Sequence, residues 1–279
     1  MGKVEQFGMR ASVIYGAIVL LLQIGMSFSW GCPQNIDSSG HYSIPNGTET
    51  IIDSEYESCK ELKSLTIPDS VTIIENDAFR GCVNLKSVTI PNSVVSIGNS
   101  SFQECTGLES LTIGNNVELI GHRTFYKCHN LISVTIPDSV TKIGDYSFGV
   151  LMNMESLTIG RSLKDIPRYS FFKAMQLKSL TIPGNVKTIQ KEAFCRCYRL
   201  ESLILENGVL SVGIGAFSKA FGLTSVDLGE TVTILGKHAF FQSASLKSVI
   251  LPNSLESLGE ATFYNSSLEE VKFPSKLKS

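Results

Sequence analysis

The chain has 279 residues, with 24 Lys and Arg against 26 Asp and Glu, which gives a formal net charge of −2. A nearly neutral chain lacks the strong positive field that draws proteins to nucleic acid or anionic lipid, so composition argues against both partners. Charged residues make up 18% of the chain, below the usual roughly 25%, so Ser, Thr, Asn and Gly must cover much of the surface.

The chain opens with an apolar stretch. Residues 11–26 are mostly apolar and follow basic residues; the run is short for a membrane-spanning helix and typical of a signal peptide. We predict that residues 1–29 are a signal peptide cleaved after Ser29, or alternatively that residues 11–30 remain as an anchor, the only contact with a membrane. In both cases the remaining chain is predicted to be secreted or on the cell surface.

From Leu62 onward the sequence repeats every 23 residues. The block 85–107 begins LKSVTIP, and its neighbours begin LKSLTIP at Leu62 and LESLTIG at Leu108. We number these repeats as coils, coil one starting at Leu62, and the later starts are Leu131, Met154, Leu177, Leu200, Leu223, Leu246 and, one residue early, Leu268. Self-similarity with a fixed period in this range predicts a solenoid.

Each coil carries the same succession of apolar positions. Alternation in Leu62-x-x-Leu65-x-Ile67 predicts a short strand that ends at a Pro or Gly, followed by a second short apolar segment. A Phe then recurs in nine coils, and we interpret it as one helical or 3-10 turn that places its ring in the core: Phe79, Phe102, Phe125, Phe148, Phe171, Phe194, Phe217, Phe240 and Phe263.

These positions predict a fold class and domain bounds. We expect an α/β solenoid, a right-handed stack of about ten 23-residue coils with a parallel concave sheet and short helical, 3-10 or strand segments on the convex side. Residues 30–61 are predicted to form an N-terminal cap with a degenerate first repeat, residues 62–267 the solenoid, and residues 268–279 a partial terminal repeat or cap.

Five of the seven cysteines share one position at the 23-residue spacing: Cys59, Cys82, Cys105, Cys128 and Cys197. Other coils hold Leu, Ala or Ser there, which favours a buried small slot over a ladder of disulfides, although the spacing leaves the ladder open. Cys32 is an ordinary thiol or an N-terminal disulfide partner. Cys195 lies in a variable column and is the best candidate for an exposed thiol.

The motif Leu-x-x-Leu/Val-x-Ile-Pro-x-Ser-Val-x-x-Ile-Gly-x-x-x-Phe-x-x-Cys, read from residues 85–105, where the fourth residue is Val88, resembles the BspA-like leucine-rich repeats, also called the Treponema pallidum type. The resemblance covers residues 40–279. It implies a secreted or cell-surface binding protein, often an adhesin, and it brings no catalytic residues. The commoner leucine-rich pattern has Asn or Cys nine residues into the repeat, where this chain has Ser70, Ser93, Asn116, Ser139, Ser162 and Asn185.

The strand face turned away from the core is the predicted ligand-binding surface, for a protein or a glycan. Its columns are uniformly Ser and Thr in coils one to six, which suits strand pairing alone. The Thr column then changes, and we predict a site there that consists of Ile204, Asp227, Ile250 and Lys272 with Ser202, Ser225 and Ser248. A second candidate surface is the convex edge, with Tyr126, Phe172, Phe241 and Tyr264.

Catalytic chemistry is not indicated. The four histidines occupy different places in their coils, so neither a metal site nor a catalytic set is predicted, and no motif suggests a cofactor. If the source is eukaryotic, Asn46, Asn99 and Asn265 are glycosylation acceptors. The interpretation is an exported, non-enzymatic protein that binds macromolecules in adhesion or recognition; the alternatives are a self-assembling structural surface protein and, less favoured, an enzyme.

Overall fold

In a computed structural model, which describes residues 31–275 and residue 277, each 23-residue repeat up to coil eight forms one coil of two short strands and a run of turns. Coil nine has the second strand and, in place of the first, a single bridge at Ser248. The first strands are β1 (His41–Ser43), β3 (Ser64–Thr66), β5 (Ser87–Thr89), β7 (Ser110–Thr112), β9 (Ser133–Ile136), β11 (Ser156–Ile159), β13 (Ser179–Ile182), β15 (Ser202–Leu205) and β17 (Ser225–Asp227). The second strands are β2 (Thr50–Ile51), β4 (Ile73–Ile74), β6 (Ser96–Ile97), β8 (Leu119–Ile120), β10 (Lys142–Ile143), β12 (Asp165–Ile166), β14 (Thr188–Ile189), β16 (Ser211–Val212), β18 (Ile234–Leu235) and β19 (Ser257–Leu258).

All strand pairs are parallel and join equivalent residues of successive coils. Ser87 pairs with Ser110 and Thr89 with Thr112, an offset of one repeat. The first sheet consists of the sections β1-β3-β5-β7, β9-β11 and β13-β15-β17, and the second of β2-β4-β6-β8-β10 and β12-β14-β16-β18-β19. The solenoid that the 23-residue period predicts is therefore confirmed, with equivalent residues of successive coils side by side.

The core is a column of stacked aromatic rings. The recurring Phe is fully buried in coils one to eight, from Phe79 to Phe240, and Phe263 of coil nine is partly buried. Ring centroids of neighbouring coils lie 5.1–5.6 Å apart with planes within 16° of parallel. The stack begins one coil earlier than the sequence indicates. We call the coil before coil one, which contains β1 and β2, the cap coil; Tyr56 occupies its Phe position, with its ring centroid 5.1 Å from that of Phe79.

The predicted helical or 3-10 turn around each Phe is wrong, and so is the α/β class, because the described residues contain no helix of either kind. The residues two before and two after each Phe adopt left-handed conformations, as Asp77 (φ 52°) and Gly81 (φ 71°) do around Phe79. This alternation turns backbone N–H groups toward the next coil. Phe79 N donates to Ser101 O of the next coil at 2.7 Å, whereas Arg80 N donates to Asp77 O of its own turn at 3.0 Å. Hydrogen bonds between coils thus alternate with bonds inside single turns, and no continuous helix forms.

Four residues of the Cys column are buried free thiols, as the buried-slot interpretation predicts: Cys82, Cys105, Cys128 and Cys197. The thiol also has a partner, since Cys105 Sγ donates to Phe79 O at 3.2 Å. Burial raises the pKa of the Cys128 and Cys197 thiols well above the ordinary value. Each of these four thiols thus joins its coil to the preceding one.

Two other cysteines depart from the expected thiols. Cys59, the column's first member, forms a disulfide with Cys32 and ties the segment before β1 to the cap coil. Cys195 is not exposed, because only 5% of its surface is accessible, and burial raises its pKa to about 11. A short side chain in that column is covered by neighbouring coils; Ser218, one coil on, is 8% exposed.

Ser and Asn side chains at the position of Asn in the commoner pattern bond to carbonyl groups of the preceding coil. Ser70 Oγ donates to Thr48 O at 2.8 Å, and Ser139 Oγ to Val117 O at 2.8 Å. Asn185 Nδ2 donates to a carbonyl of the preceding coil at 2.6 Å. A hydroxyl is therefore able to bond the carbonyl group at this turn, although Ser93 Oγ, in the same column, has no hydrogen-bond partner.

Close approach of coils explains the glycines that follow the second strand. A Cβ atom on Gly121 would lie 2.6 Å from Asn99 N and 2.7 Å from Gly98 C, closer than side chains approach backbone. The coils therefore stack through bare backbone at this corner.

The predicted export segment, residues 1–29 or the anchor 11–30, lies outside the described residues. Within the described part of the chain, no helix has the length and apolar character needed to span a bilayer.

Candidate ligand-binding surface

The open face of the first sheet is polar and uniform along coils one to six. In each coil the central apolar residue of the strand packs on the core with Ser and Thr on either side, as Val88 does, buried between the exposed Ser87 and Thr89. Leu111 and Leu157, the equivalent residues of coils three and five, are only partly buried. This follows from strand alternation, because neighbouring side chains point to opposite faces. The uniform columns give this region little chemical variety.

The face changes at coil seven, as the sequence predicts. Ile204 is 42% exposed and pairs with Asp227 of the next coil, and Ile250 of coil nine is 86% exposed. The three side chains line one groove of about 890 Å³ near the carboxyl ends of the first strands. We call this the coil-seven groove; its other lining residues are Leu205, Glu206, Asn207, Val226, Leu228, Gly229, Glu230, Leu251, Pro252 and Asn253.

The polar groups of the groove are acidic or amide. Asp227 Oδ1 accepts from Gly229 N at 2.9 Å, and Asn207 Oδ1 accepts from Glu230 N at 2.8 Å, which fixes both side chains. Glu206 lies 3.6 Å from Arg161, which is not a lining residue. The groove therefore combines exposed isoleucine with carboxylates and has no Lys or Arg in its lining.

Four predicted site residues lie outside the groove. Ser202, Ser225 and Ser248 are on the same open face but at the beginning of the strands rather than at their ends. Lys272 is exposed beyond the bridge that joins Ser248 to Glu270.

Sequence reasoning missed a second groove, of about 700 Å³, over coils three to seven. Arg161, Asp138 and Glu206 lie along it, with Thr135, Thr158 and Thr181 on its floor. The only signal in the sequence is the strand-ending Pro or Gly, because these turns form one wall of both grooves. The Thr column does not change in coils four to six, so the sequence gives no sign of a groove there.

Candidate chemical sites are sparse. Among the described residues one group has metal-ligand geometry, Cys32, Cys59 and Glu61, whose ligand atoms lie within 4.8 Å of one another. The two sulfurs are bonded to each other, so neither is a thiolate that could bind a cation. His41 instead contacts hydroxyls, with Nδ1 2.9 Å from Ser64 Oγ.

The predicted acceptors for glycosylation, Asn46, Asn99 and Asn265, are all exposed. On the convex edge, Tyr264 is 64% exposed, whereas Tyr126, Phe172 and Phe241 are half-buried. The three Asn side chains are therefore accessible to glycosylation. On the convex edge, Tyr264 alone of the four aromatic residues is largely exposed.

Two parallel sheets with one repeat per coil and an open sheet face define a leucine-rich-repeat solenoid, a class that generally serves as a scaffold for protein interactions. The sequence matches the family model described as "BspA type Leucine rich repeat region" in 6 copies over residues 49–174 and 164–279. The chain belongs to this BspA-type family. A search of curated proteins found no match.

Solved structures show the same fold. The pneumococcal vaccine antigen PcpA is similar over 89% of this chain and 66% of its own, with TM-score 0.61 and 22% identity. A Treponema pallidum leucine-rich-repeat protein is similar over 58% and 78%, with TM-score 0.55 and 28% identity. A leucine-rich cell surface protein of Faecalibacterium prausnitzii is similar over 85% and 73%, with TM-score 0.51 and 25% identity. The chain spans just under two thirds of the pneumococcal protein.

Proposed function

We propose that this protein is exported and binds another protein through the coil-seven groove, in adhesion or recognition and without catalysis. The observation that carries the proposal is the convergence of Ile204, Asp227 and Ile250 in one groove on an otherwise Ser and Thr face. An isoleucine that is 86% exposed costs solubility, and burying it against a partner recovers hydrophobic free energy.

The groove favours a particular partner chemistry. Asp227, Glu206 and Glu230 supply negative charge beside the two isoleucines. A protein segment with an apolar side chain next to Lys or Arg is complementary to this arrangement. A neutral glycan would leave the isoleucines without apolar contacts, so a protein partner is preferred to a glycan.

Three observations support export. The N-terminal sequence has the pattern of a signal peptide in residues 1–29. The disulfide between Cys32 and Cys59 is of a kind that persists in oxidising compartments. The F. prausnitzii protein of similar fold is described as a cell surface protein, which agrees with the same location here.

A displayed random-peptide library tests the groove. We expect the full chain to select peptides that combine an apolar residue with Lys or Arg, and the Ile204→Thr/Ile250→Thr variant to bind them at least about tenfold more weakly, because one lost apolar anchor is already worth roughly that factor. Thr occupies the same column in coils one to six, so the variant should fold.

The matched control changes two exposed isoleucines outside the groove, Ile132 (52% exposed) and Ile234 (45% exposed), to Thr. It should bind the selected peptides as the unchanged chain does. If both variants bound the selected peptides equally well, the coil-seven groove would not be the peptide-binding site.

A further inference from the structure

Charge is segregated along the outer surface of the turns, which we call the turn face. In the cap coil and coils one and two it carries seven carboxylates against two cations, a net charge of −5, over residues 52–61, 75–84 and 98–107. In coils three to seven it carries eight Lys and Arg against two carboxylates, a net charge of +6, over residues 121–130, 144–153, 167–176, 190–199 and 213–222. The overall net charge conceals both regions.

The acidic region is largely satisfied within the chain. Asp53 Oδ1 accepts from Asn76 N at 2.8 Å, and Glu55 Oε2 accepts from Ile52 N at 3.0 Å. Arg80 lies 3.4 Å and 3.9 Å from two further carboxylates. These carboxylates hold the cap coil and its neighbours together, so they are poorly placed to receive a second copy's basic surface.

The basic region is largely unpaired. Three of its eight cations form salt bridges, at 2.8–3.9 Å: Lys127, Arg168 and Lys191. The other five form none with any described carboxylate: Arg123, Lys173, Arg196, Arg199 and Lys219. Repulsion among unpaired like charges is unfavourable for the isolated chain, and an anionic ligand relieves it.

Three of the unpaired cations form a row. Lys173, Arg196 and Lys219 occupy the same position in coils five, six and seven, each in a left-handed conformation with φ of 61–66°. In the core of the same three coils, the ring centroids of Phe171, Phe194 and Phe217 lie 5.1 Å and 5.4 Å apart. Successive members of the row are therefore one coil repeat of about this length apart. One cation in each of three successive coils matches a linear polymer with an anionic group on successive units, rather than a single small anion.

Aromatic rings beside the row are stacked on one another or covered by cations, although Phe221, which stacks on Tyr198 at 5.2 Å, is 44% exposed. Lys173 Nζ and the Arg196 guanidinium lie 5.4 Å and 5.6 Å from the Phe172 ring centre. Tyr146 and Tyr169 stack on each other at 4.5 Å. Nucleic-acid bases need free aromatic faces on which to stack, whereas sulfate and carboxylate groups need only the cations, so the surface fits an acidic sugar polymer better than a nucleic acid.

We propose that the turn face of coils three to seven binds a linear anionic polysaccharide, whose sulfate or carboxylate groups pair with the row of Lys173, Arg196 and Lys219. The site is separate from the coil-seven groove and does not depend on the proposed protein partner. It gives the solenoid a second ligand class on a different side of each coil.

Heparin, a sulfated polysaccharide, is the probe. The Lys173→Gln/Arg196→Gln/Lys219→Gln variant of the full chain should bind heparin about a hundredfold more weakly, since each cation near a polyanionic surface contributes roughly a factor of five. The dependence of log Kd on log salt should also become shallower. Gln242 occupies the same column with φ 61°, so Gln fits the backbone, and an unchanged thermal midpoint will show that the variant folds.

A matched control removes the same charge elsewhere, through Lys142→Gln/Lys164→Gln/Lys247→Gln at exposed positions outside the turn face. It should keep heparin affinity within about twofold. Three outcomes would overturn the proposal: no heparin binding by the unchanged chain at physiological salt, equal losses in both variants, or tighter binding of a single-stranded DNA oligonucleotide than of heparin. Dimers that only the first variant abolishes, in the absence of heparin binding, would assign the surface to a second copy instead.

Discussion

The Phe stack passes unchanged from coil six to coil seven, whereas the open face of the first sheet changes between the same two coils. Phe194 and Phe217 stack at 5.4 Å with their planes 3° apart, as their neighbours do. On the opposite side of the strand, Thr181 is replaced by Ile204, its direct partner in the sheet. Packing fixes the interior because each ring contacts the ring of the next coil, while an outward side chain meets solvent.

The interior of the stack and the open face of the first sheet are therefore under different constraints. An interior residue must match its two neighbours in the stack, and a mismatch leaves a cavity or an overlap. A residue on the open face must only be compatible with strand pairing in the first sheet, so its identity is free to change from coil to coil. Comparing substitutions at equivalent interior and open-face positions measures how far this separation holds.

The largest effect is expected inside the stack. Phe148→Ala should lower the free energy of unfolding by about 3–5 kcal/mol, because Phe148 is fully buried between two rings. Phe263→Ala should cost about half as much, because Phe263 is partly buried and stacks only on Phe240 among the described rings. Urea unfolding of both variants gives the comparison. Equal losses would show that position in the stack does not matter.

A smaller loss is expected at the cap. Removing the disulfide in a Cys32→Ser/Cys59→Ser variant should lower the free energy of unfolding by about 3 kcal/mol, since the bond closes a loop with a sequence separation of 27. The five free cysteines are buried, so a reducing agent should destabilise the unchanged chain and leave the variant as it is. A reductant that shifts both, or neither, contradicts the structural role of this bond.

The sequence predicts the repeat and the direction of most side chains. The 23-residue period and the alternation around residues such as Leu65 are sufficient to place one coil over the next, and the confirmed register follows. The open-face change at Ile204 was visible because it breaks a column. Its convergence with Asp227 and Ile250 follows from register alone.

The turns were not predictable in the same way. A Phe preceded by small residues suits a helical turn as well as the observed one, and the left-handed residues on either side include Asp77, Arg123 and Lys127, types with no strong preference for that conformation in common. Inter-coil hydrogen bonds decide the outcome, and they exist only in the assembled stack. The bond between Cys32 and Cys59 likewise depends on how the cap folds back, which the 23-residue period does not specify.

The smallest effect on stability is expected on the open face of coils seven to nine. Ile204→Thr/Ile250→Thr restores the Thr column of coils one to six and should change the free energy of unfolding by no more than about 0.5 kcal/mol, because both side chains are exposed. Urea unfolding beside Phe148→Ala provides the scale. A loss above about 1 kcal/mol would mean that the isoleucines stabilise the sheet itself. The change at coil seven would then be explained by packing, and the groove would no longer need a ligand to account for its apolar side chains.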